Sequence, residues 1–143
     1  MSLVTDADKP TLYKRIRAEL ACDGARFRSG SDTEVILAGW ARHGAPFLAK
    51  LRGMFALALW DAEARRGWLA RDPFGIKPMY WTEQGGALLF ASETRALLAS
   101  GLVPRRLSRP AVASYLATGS VSEPLTIVDG IRMLPAGTCA EVR

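Results

Sequence analysis

Residues 53–72 read GMFALALWDAEARRGWLARD, and this stretch decides the fold class. Residues 53–61 are a short apolar run between a glycine and an acid, which at this length is typical of a buried strand. A polar turn follows, and residues 68–72 are a second apolar segment of strand length. The two segments therefore predict an antiparallel hairpin, which belongs to a different fold class from the alternating strands and helices of a parallel sheet.

A second hairpin is predicted at residues 79–91. Its strands, residues 79–81 and 87–91, flank Gln84-Gly85-Gly86, and glycine tolerates the positive φ that a tight hairpin turn requires. Residues 131–142 resemble a further strand that Pro135 interrupts, because proline cannot donate a hydrogen bond to a sheet.

Helices are predicted around these strands from apolar spacing and capping residues. They run from Pro10 and Thr11 to about Asp23-Gly24, from Ser31 to Gly44, over residues 93–100 behind Ser92, and over residues 110–117 behind Ser108. In the second helix Ser31 is the predicted N-cap, and Glu34, three residues on, completes a capping box. Helices packed on antiparallel sheets predict an α+β fold, with residues 1–143 as one domain or part of one.

Composition narrows the classes of function. The 143 residues are 49% hydrophobic, but no apolar stretch approaches the roughly 20 residues that a membrane-spanning helix needs, so a cytoplasmic protein without a membrane partner is expected. Cys22, Cys139 and His43 form neither a metal cluster nor a disulfide framework, so no metal site is expected. His43 is interpreted as a residue that favours a helix C-terminus. The net charge of +5 is spread over several elements without interleaved aromatic residues, so no nucleic acid partner is expected.

The segment at residues 70–80 combines a charged pair, a glycine and two prolines between apolar strands. One interpretation is structural: Arg71 and Asp72 form an ion pair, and residues 75–78 form a rigid turn. The other is a functional site, since charged groups between buried strands often have perturbed pKa values. The residue types favour the structural interpretation. No glycine-rich phosphate loop is present, so the chain is not expected to bind ATP by itself.

Five segments occur together in an order that is typical of one family. They are SGSDTEV (residues 29–35), LRGMFA (51–56), ARDPFGIKP (70–78), FASE (90–93) and IRMLPAG (131–137). Over roughly residues 16–137 the chain therefore resembles the class II glutamine amidotransferase domain of glutamine-hydrolysing asparagine synthetases. That resemblance implies an N-terminal-nucleophile hydrolase fold, an αββα sandwich of two antiparallel sheets between helices.

The resemblance also implies a chemistry. In this family an N-terminal cysteine thiolate attacks the side-chain amide of glutamine, and the cysteine's own α-amino group is the base. The ammonia then passes to a synthetase domain of the same polypeptide, to which ATP and magnesium would belong, so no cofactor is expected in this chain. An aspartate of the SGSDTEV motif holds the α-amino group of glutamine, and it corresponds to Asp32 here. The alternative for Asp32 is a carboxylate that stabilises a helix N-terminus without a ligand.

By the same comparison the catalytic machinery is incomplete, and the domain is expected to be truncated. Cys22 is internal and lacks a free α-amino group. The family's oxyanion-hole segment would fall at residues 7–12, where Ala7 and Asp8 replace its asparagine and glycine, and the whole chain contains no asparagine. Ser2, which removal of the initiator methionine would expose, lacks the strands that would position a nucleophile.

We therefore expect a partial or degenerate glutaminase domain of an asparagine-synthetase-like protein, with no catalytic residue and no glutaminase activity of its own. Missing strands would leave sheet edges and apolar residues uncovered, so marginal stability is expected as well. The alternative is a non-catalytic interaction module that keeps the scaffold and docks on a synthetase, or on a second copy through exposed sheet edges.

Overall fold

The computed structural model describes residues 12–142, with side chains from residue 13 onward. The chain divides after Gly53 into two compact units. The described part of the first unit is helical, and the second unit contains two antiparallel sheets with helices. This mixture of helices and antiparallel strands confirms the α+β prediction. The predictions for residues 1–11, which include Ser2, Ala7, Asp8 and the start of the first helix, lie outside the described residues.

Over residues 12–53 the first unit contains two α-helices and a 3-10 helix. Helix α1 spans Leu12–Cys22, helix α2 spans Asp32–His43, and the 3-10 helix spans Ala45–Lys50. Ile16 and Leu20 of α1 are both buried. They are four residues apart and so lie on one face of the helix, as the apolar spacing predicted.

Helix α2 begins and ends where its capping residues predict. Ser31 is its N-cap and Gly44 its C-cap. Gly44 donates its N–H to the carbonyl of Trp40 and has a φ of 62°, a conformation that glycine adopts without steric cost. Later in the helix, a Cβ atom added at Gly39 would overlap the ring of buried Phe47, so this glycine lets the 3-10 helix pack directly on α2.

The second unit contains the remaining elements. They are β1 (Ala56–Asp61), β2 (Arg66–Arg71), β3 (Tyr80–Gln84), β4 (Ala87–Ala91), α3 (Thr94–Ala99), α4 (Arg109–Thr118), β5 (Arg132–Met133) and β6 (Cys139–Val142). One sheet has the strand order β1-β2-β6 and the other β4-β3-β5, with every pairing antiparallel. Both predicted hairpins, β1-β2 and β3-β4, are thereby confirmed.

The interrupted strand predicted at residues 131–142 is two short strands that belong to different sheets. Strand β5 pairs with β3, with Met133 opposite Tyr80, and β6 pairs with β2, with Ala140 opposite Leu69. Pro135 lies between the two strands. The chain therefore crosses from one sheet to the other at the point where proline ends the first pairing.

The two sheets contribute side chains to a shared core cluster. Leu69 of β2 is buried there with Met79 and Leu134, and Trp81 of β3 packs against them. Because side chains alternate along a strand, the neighbouring positions of β3 face the other way. On that opposite face, buried residues from α3 and the following loops form a second cluster: Leu97, Val103, Val128 and Ile131.

Two local predictions are wrong. Strand β1 begins at Ala56 rather than at residue 53, and Leu59 is its only buried residue. It is paired only with β2 among the described residues, so it is an edge strand, whereas a continuous apolar run is typical of a strand covered on both faces. The N-cap of α3 is Glu93, which makes no side-chain capping bond, and not Ser92. Ser108, in contrast, caps α4 by accepting the N–H of Ala111.

Candidate functional site

The loop that leads into α2 presents Asp32 at the first position of the helix. Asp32 is exposed, and its Oδ1 accepts the N–H of Thr33 at 2.8 Å. The hydroxyl of Ser31 accepts the same N–H at 3.1 Å. The second carboxylate oxygen, Oδ2, has no partner among the described residues. Asp32 therefore offers an unoccupied acceptor to solvent at a fixed position of the backbone.

Glu34 anchors this loop, although not in the way the predicted capping box requires. In a capping box Glu34 would accept the N–H of the N-cap, Ser31. Instead its Oε1 accepts the N–H of Arg28 at 2.8 Å, and its Oε2 accepts the N–H and the hydroxyl of Ser29 at 2.8 and 2.7 Å. The hydroxyl of Ser29 in turn accepts the N–H of Ser31 at 3.3 Å. The carboxylate thus holds the segment before the N-cap rather than the N-cap itself.

These hydrogen bonds favour the ionised form of Glu34. The N–H of Arg28, then the hydroxyl and the N–H of Ser29, hold the pKa of the Glu34 carboxyl below its ordinary value, and the nearby charge of Arg17 acts in the same direction. Arg17 belongs to α1 and also stacks over the ring of Phe27, with its guanidinium carbon 4.5 Å from the ring centre. The loop is therefore attached to both α1 and α2.

A second loop, in the second unit, is held by Asp72. This residue is fully buried, and its carboxylate accepts the N–H groups of Phe74, Ile76 and Lys77 at 3.0 to 3.1 Å. Its backbone oxygen accepts the N–H of Gly75 at 2.9 Å. Burial opposes the charge, but the N–H groups of Lys77, Ile76 and Phe74 outweigh it, so the pKa of the Asp72 carboxyl is below its ordinary value.

Arg71 holds the carbonyl side of the same loop. Its guanidinium is buried and donates to the backbone oxygens of Gly75, Lys77 and Leu134. It also forms a bidentate ion pair with Glu123, with both N–O distances at 3.0 Å. A Cβ at position 75 would lie 2.8 Å from Arg71 Nη2, and Gly75 has a φ of 64°, so only glycine fits here without strain.

The hydrogen-bonded turn lies at residues 72–75 rather than at the predicted residues 75–78, and the predicted ion pair between Arg71 and Asp72 is wrong. The two side chains divide the loop between them, because Asp72 accepts from its N–H groups and Arg71 donates to its carbonyl groups. Sequence reasoning missed Glu123 as the ionic partner of Arg71. No local signal could have found it, since the two residues are 52 positions apart.

The cysteines and the histidine lie apart from these two loops in the sequence. Cys22, in α1, and Cys139, in β6, are both free thiols. Burial, and then the charge of Glu141, raise the pKa of the Cys139 thiol, which disfavours the nucleophilic thiolate. His43 ends α2 and stacks on Phe47, with ring centres 6.3 Å apart. Among residues 12–142 no group of three or more His, Cys, Asp or Glu side chains could hold a metal ion, and no helix is long and apolar enough to cross a membrane.

Comparison with known proteins settles the family. The sequence profile of the glutamine amidotransferase domain matches residues 12–143. This chain belongs to that family. The match covers both loops described above. It confirms the resemblance to class II glutamine amidotransferases, from which the role of Asp32 was predicted.

Relatives of this glutamine amidotransferase domain are named as asparagine synthetases. A Mycobacterium tuberculosis protein named as a glutamine-hydrolysing asparagine synthetase is 40% identical over 137 residues, and asparagine synthetase 1 of Bacillus subtilis is 34% identical over 131 residues. Each alignment covers 92% of this chain and 21% of the relative. Amidase chyE of Penicillium rubens is 43% identical over 92 residues, which cover 64% of this chain and 14% of the amidase. The chain thus spans about a fifth of the length of the synthetases it matches.

The Arg71 network predicts a large difference between two arginine substitutions. Arg71→Met leaves three backbone carbonyls without their donor and the half-exposed Glu123 carboxylate without its ion-pair partner. Each buried acceptor left unpaired typically costs about 1–3 kcal/mol of the free energy of unfolding. Arg66→Met removes only an exposed pair with Glu141, which typically contributes about 0–1 kcal/mol. Urea unfolding of both variants, followed by circular dichroism, measures the two losses. Equal, small losses in both would contradict the role assigned to Arg71.

Proposed function

We propose that this domain binds glutamine through Asp32 and corresponds to the glutaminase domain of asparagine-synthetase-like proteins. The observation that carries the proposal is the exposed Asp32 carboxylate, which has one unoccupied oxygen and lies on a loop fixed by its neighbours. A carboxylate of this kind matches the chemistry of the α-ammonium group of an amino acid, since a charge-assisted hydrogen bond between them is about twice as strong as a neutral one.

Binding of an ammonium group by Asp32 costs little free energy within the protein, because the N–H of Thr33 has two acceptors. Asp32 Oδ1 and the Ser31 hydroxyl both accept this N–H, at 2.8 and 3.1 Å. If the Asp32 side chain rotates toward a ligand, Ser31 still satisfies the donor, and no backbone group is left unpaired. Asp32 can therefore exchange an internal hydrogen bond for an ammonium group without disturbing the helix N-terminus.

The proposed fold is the αββα sandwich of N-terminal-nucleophile hydrolases. Two features of the second unit support it: the sheets share a core cluster, and α3 with its neighbouring loops covers the opposite face of the β3 sheet. The other face of the β1-β2 sheet carries Leu57, Leu59 and Ala70, as the alternation along both strands requires. It is therefore apolar, as an inner layer of a sandwich must be.

The proposed destination of the ammonia is a synthetase domain. The asparagine synthetases that this chain matches are about five times its length, so most of each relative lies outside the matched region. We propose that the chain, or the protein to which it belongs, acts with such a domain, and that ATP and magnesium are bound there. We propose that residues 1–143, as a degenerate glutaminase domain, bind glutamine without hydrolysing it.

The polypeptide of residues 1–143 is expected to release no glutamate from glutamine. Its cysteines stand at positions 22 and 139, and neither has the free α-amino group that serves as the base in this family. Purified polypeptide incubated with glutamine, with glutamate measured by a coupled dehydrogenase assay, tests this expectation. Glutamate release above that of a heat-inactivated sample would contradict it.

Asp32→Asn is expected to weaken glutamine binding by at least tenfold, because it removes the charge from a hydrogen bond that typically contributes about 1.5–3 kcal/mol. Isothermal titration calorimetry of both proteins with L-glutamine measures the effect. Asp23→Asn is the matched control, since Asp23 is an exposed aspartate of the same unit whose pair with Arg42 is also exposed. An unchanged dissociation constant for Asp32→Asn would eliminate Asp32 as the binding group.

Self-association is a second candidate function, and the β1 edge favours it. Among the described residues β1 pairs with β2 alone, while Met54 and Trp60 are 61% and 62% exposed. An unpaired, apolar edge strand is a template for pairing with an identical strand about a two-fold axis.

The protein is therefore expected to form a concentration-dependent dimer that Trp60→Glu disrupts, as size-exclusion chromatography with light scattering would show. Leu116→Glu, at an exposed position of α4, is the control. A monomer at every concentration would exclude this second function.

A further inference from the structure

We propose that Glu34 is a positioning residue, which fixes the loop of residues 28–31 and so holds Asp32 in the orientation that binds glutamine. The role rests on the glutamine-binding function proposed for Asp32. In this role Glu34 does not cap helix α2 but fixes the loop that precedes it.

Glu34 closes a ring of hydrogen bonds around Asp32. From the N-terminal side, Glu34 Oε2 accepts both the N–H and the hydroxyl of Ser29. The Ser29 hydroxyl accepts the N–H of Ser31, and the Ser31 hydroxyl accepts the N–H of Thr33. Asp32 lies between the last two residues of this chain of contacts. On the N-terminal side of Asp32, the N–H of Ser31 is therefore linked to the Glu34 carboxylate through one hydroxyl, that of Ser29. On the C-terminal side, the N–H of Thr33 is linked to it through two, those of Ser31 and Ser29.

The chemistry of the contacts requires a carboxylate of this length. Three donors converge on Glu34: the N–H groups of Arg28 and Ser29 and the Ser29 hydroxyl, all at 2.7 to 2.8 Å. An ionised carboxyl group offers two acceptor oxygens and no donor. A glutamine side chain would present its NH2 group to at least one of these donors, and an aspartate would be shorter by one methylene group.

The simpler explanation is that Glu34 stabilises the positive end of the α2 dipole. An aspartate at the same position would then serve as well, because the effect depends on the charge and on its place in the first turn. The observed contacts are more specific than that, since the carboxylate reaches back to residues that precede the helix. The two explanations differ for Glu34→Asp: a dipole role predicts that this variant behaves like the wild type, whereas a positioning role predicts that it fails.

The test combines two measurements on the full chain. Amide hydrogen exchange, followed by NMR, reports on the loop without any ligand, and L-glutamine titration reports on binding. We expect both Glu34→Gln and Glu34→Asp to accelerate exchange at Arg28 and Ser29 at least tenfold, and to raise the dissociation constant for L-glutamine at least fivefold. Glu19→Gln is the control, because Glu19 is an exposed glutamate of the same unit with one partner in α1, Arg15.

A double-mutant cycle shows whether Glu34 acts through Asp32. If it does, Glu34→Gln weakens binding in the wild type but causes less than a twofold further change in the Asp32→Asn background. Equal fold-changes in both backgrounds would overturn the proposal, as would unaltered exchange at Arg28 and Ser29 or wild-type affinity in Glu34→Asp.

The failure of the parent proposal has a different signature. If the wild-type protein binds no glutamine while the Glu34 variants still show faster exchange at Arg28 and Ser29, the proposal that Asp32 binds glutamine is wrong. The role of Glu34 in binding that ligand is then wrong as well. If the wild type binds glutamine and the Glu34 variants bind it equally well, only the positioning role falls.

Discussion

The buried guanidinium of Arg71 is the interaction on which the loops of the second unit depend. One side chain donates to carbonyls of the segment after β2 and of Leu134, and it pairs with Glu123. A buried charge without partners costs several kcal/mol of folding free energy. The Arg71 guanidinium therefore favours the arrangement in which the loop after β2, Leu134 and Glu123 all contact it. Apolar packing alone would leave the loop at residues 73–77 undetermined, because Phe74 and Ile76 are exposed.

In the first unit, too, one charged side chain fixes a short loop by hydrogen bonds to its backbone, but here the charge is negative. Glu34 collects donors from the segment before α2, as Asp72 collects N–H groups from the segment after β2. In each case an ionised group gives one conformation to a short polar stretch that has little apolar surface to bury. Rigid loops of this kind, mounted on helices and strands, are where binding residues are commonly found, and Asp32 lies on one of them.

Local signals predicted most of the elements. The Gly85-Gly86 turn, the caps at Ser31 and Ser108, and the break at Pro135 each depend on the conformational preference of one or two residues, and each is observed. The partner of Arg71 and the target of Glu34 were not predictable in this way, since they depend on which distant or preceding groups the folded chain brings near. Asp32 was selected from the motif, and nothing in its local pattern distinguishes a ligand-binding carboxylate from a helix-stabilising one.

The crossing of the chain at Pro135 has a consequence for folding during synthesis. Each hairpin is formed by neighbouring residues and can fold as soon as it emerges, because its contacts are local. Strand β5 pairs with β3, and strand β6 pairs with β2. Each of them is synthesised about fifty residues or more after its partner. Until they emerge, the apolar faces around Leu69 and Trp81 lack part of their cover, and apolar surface exposed in this way makes a folding intermediate prone to aggregation.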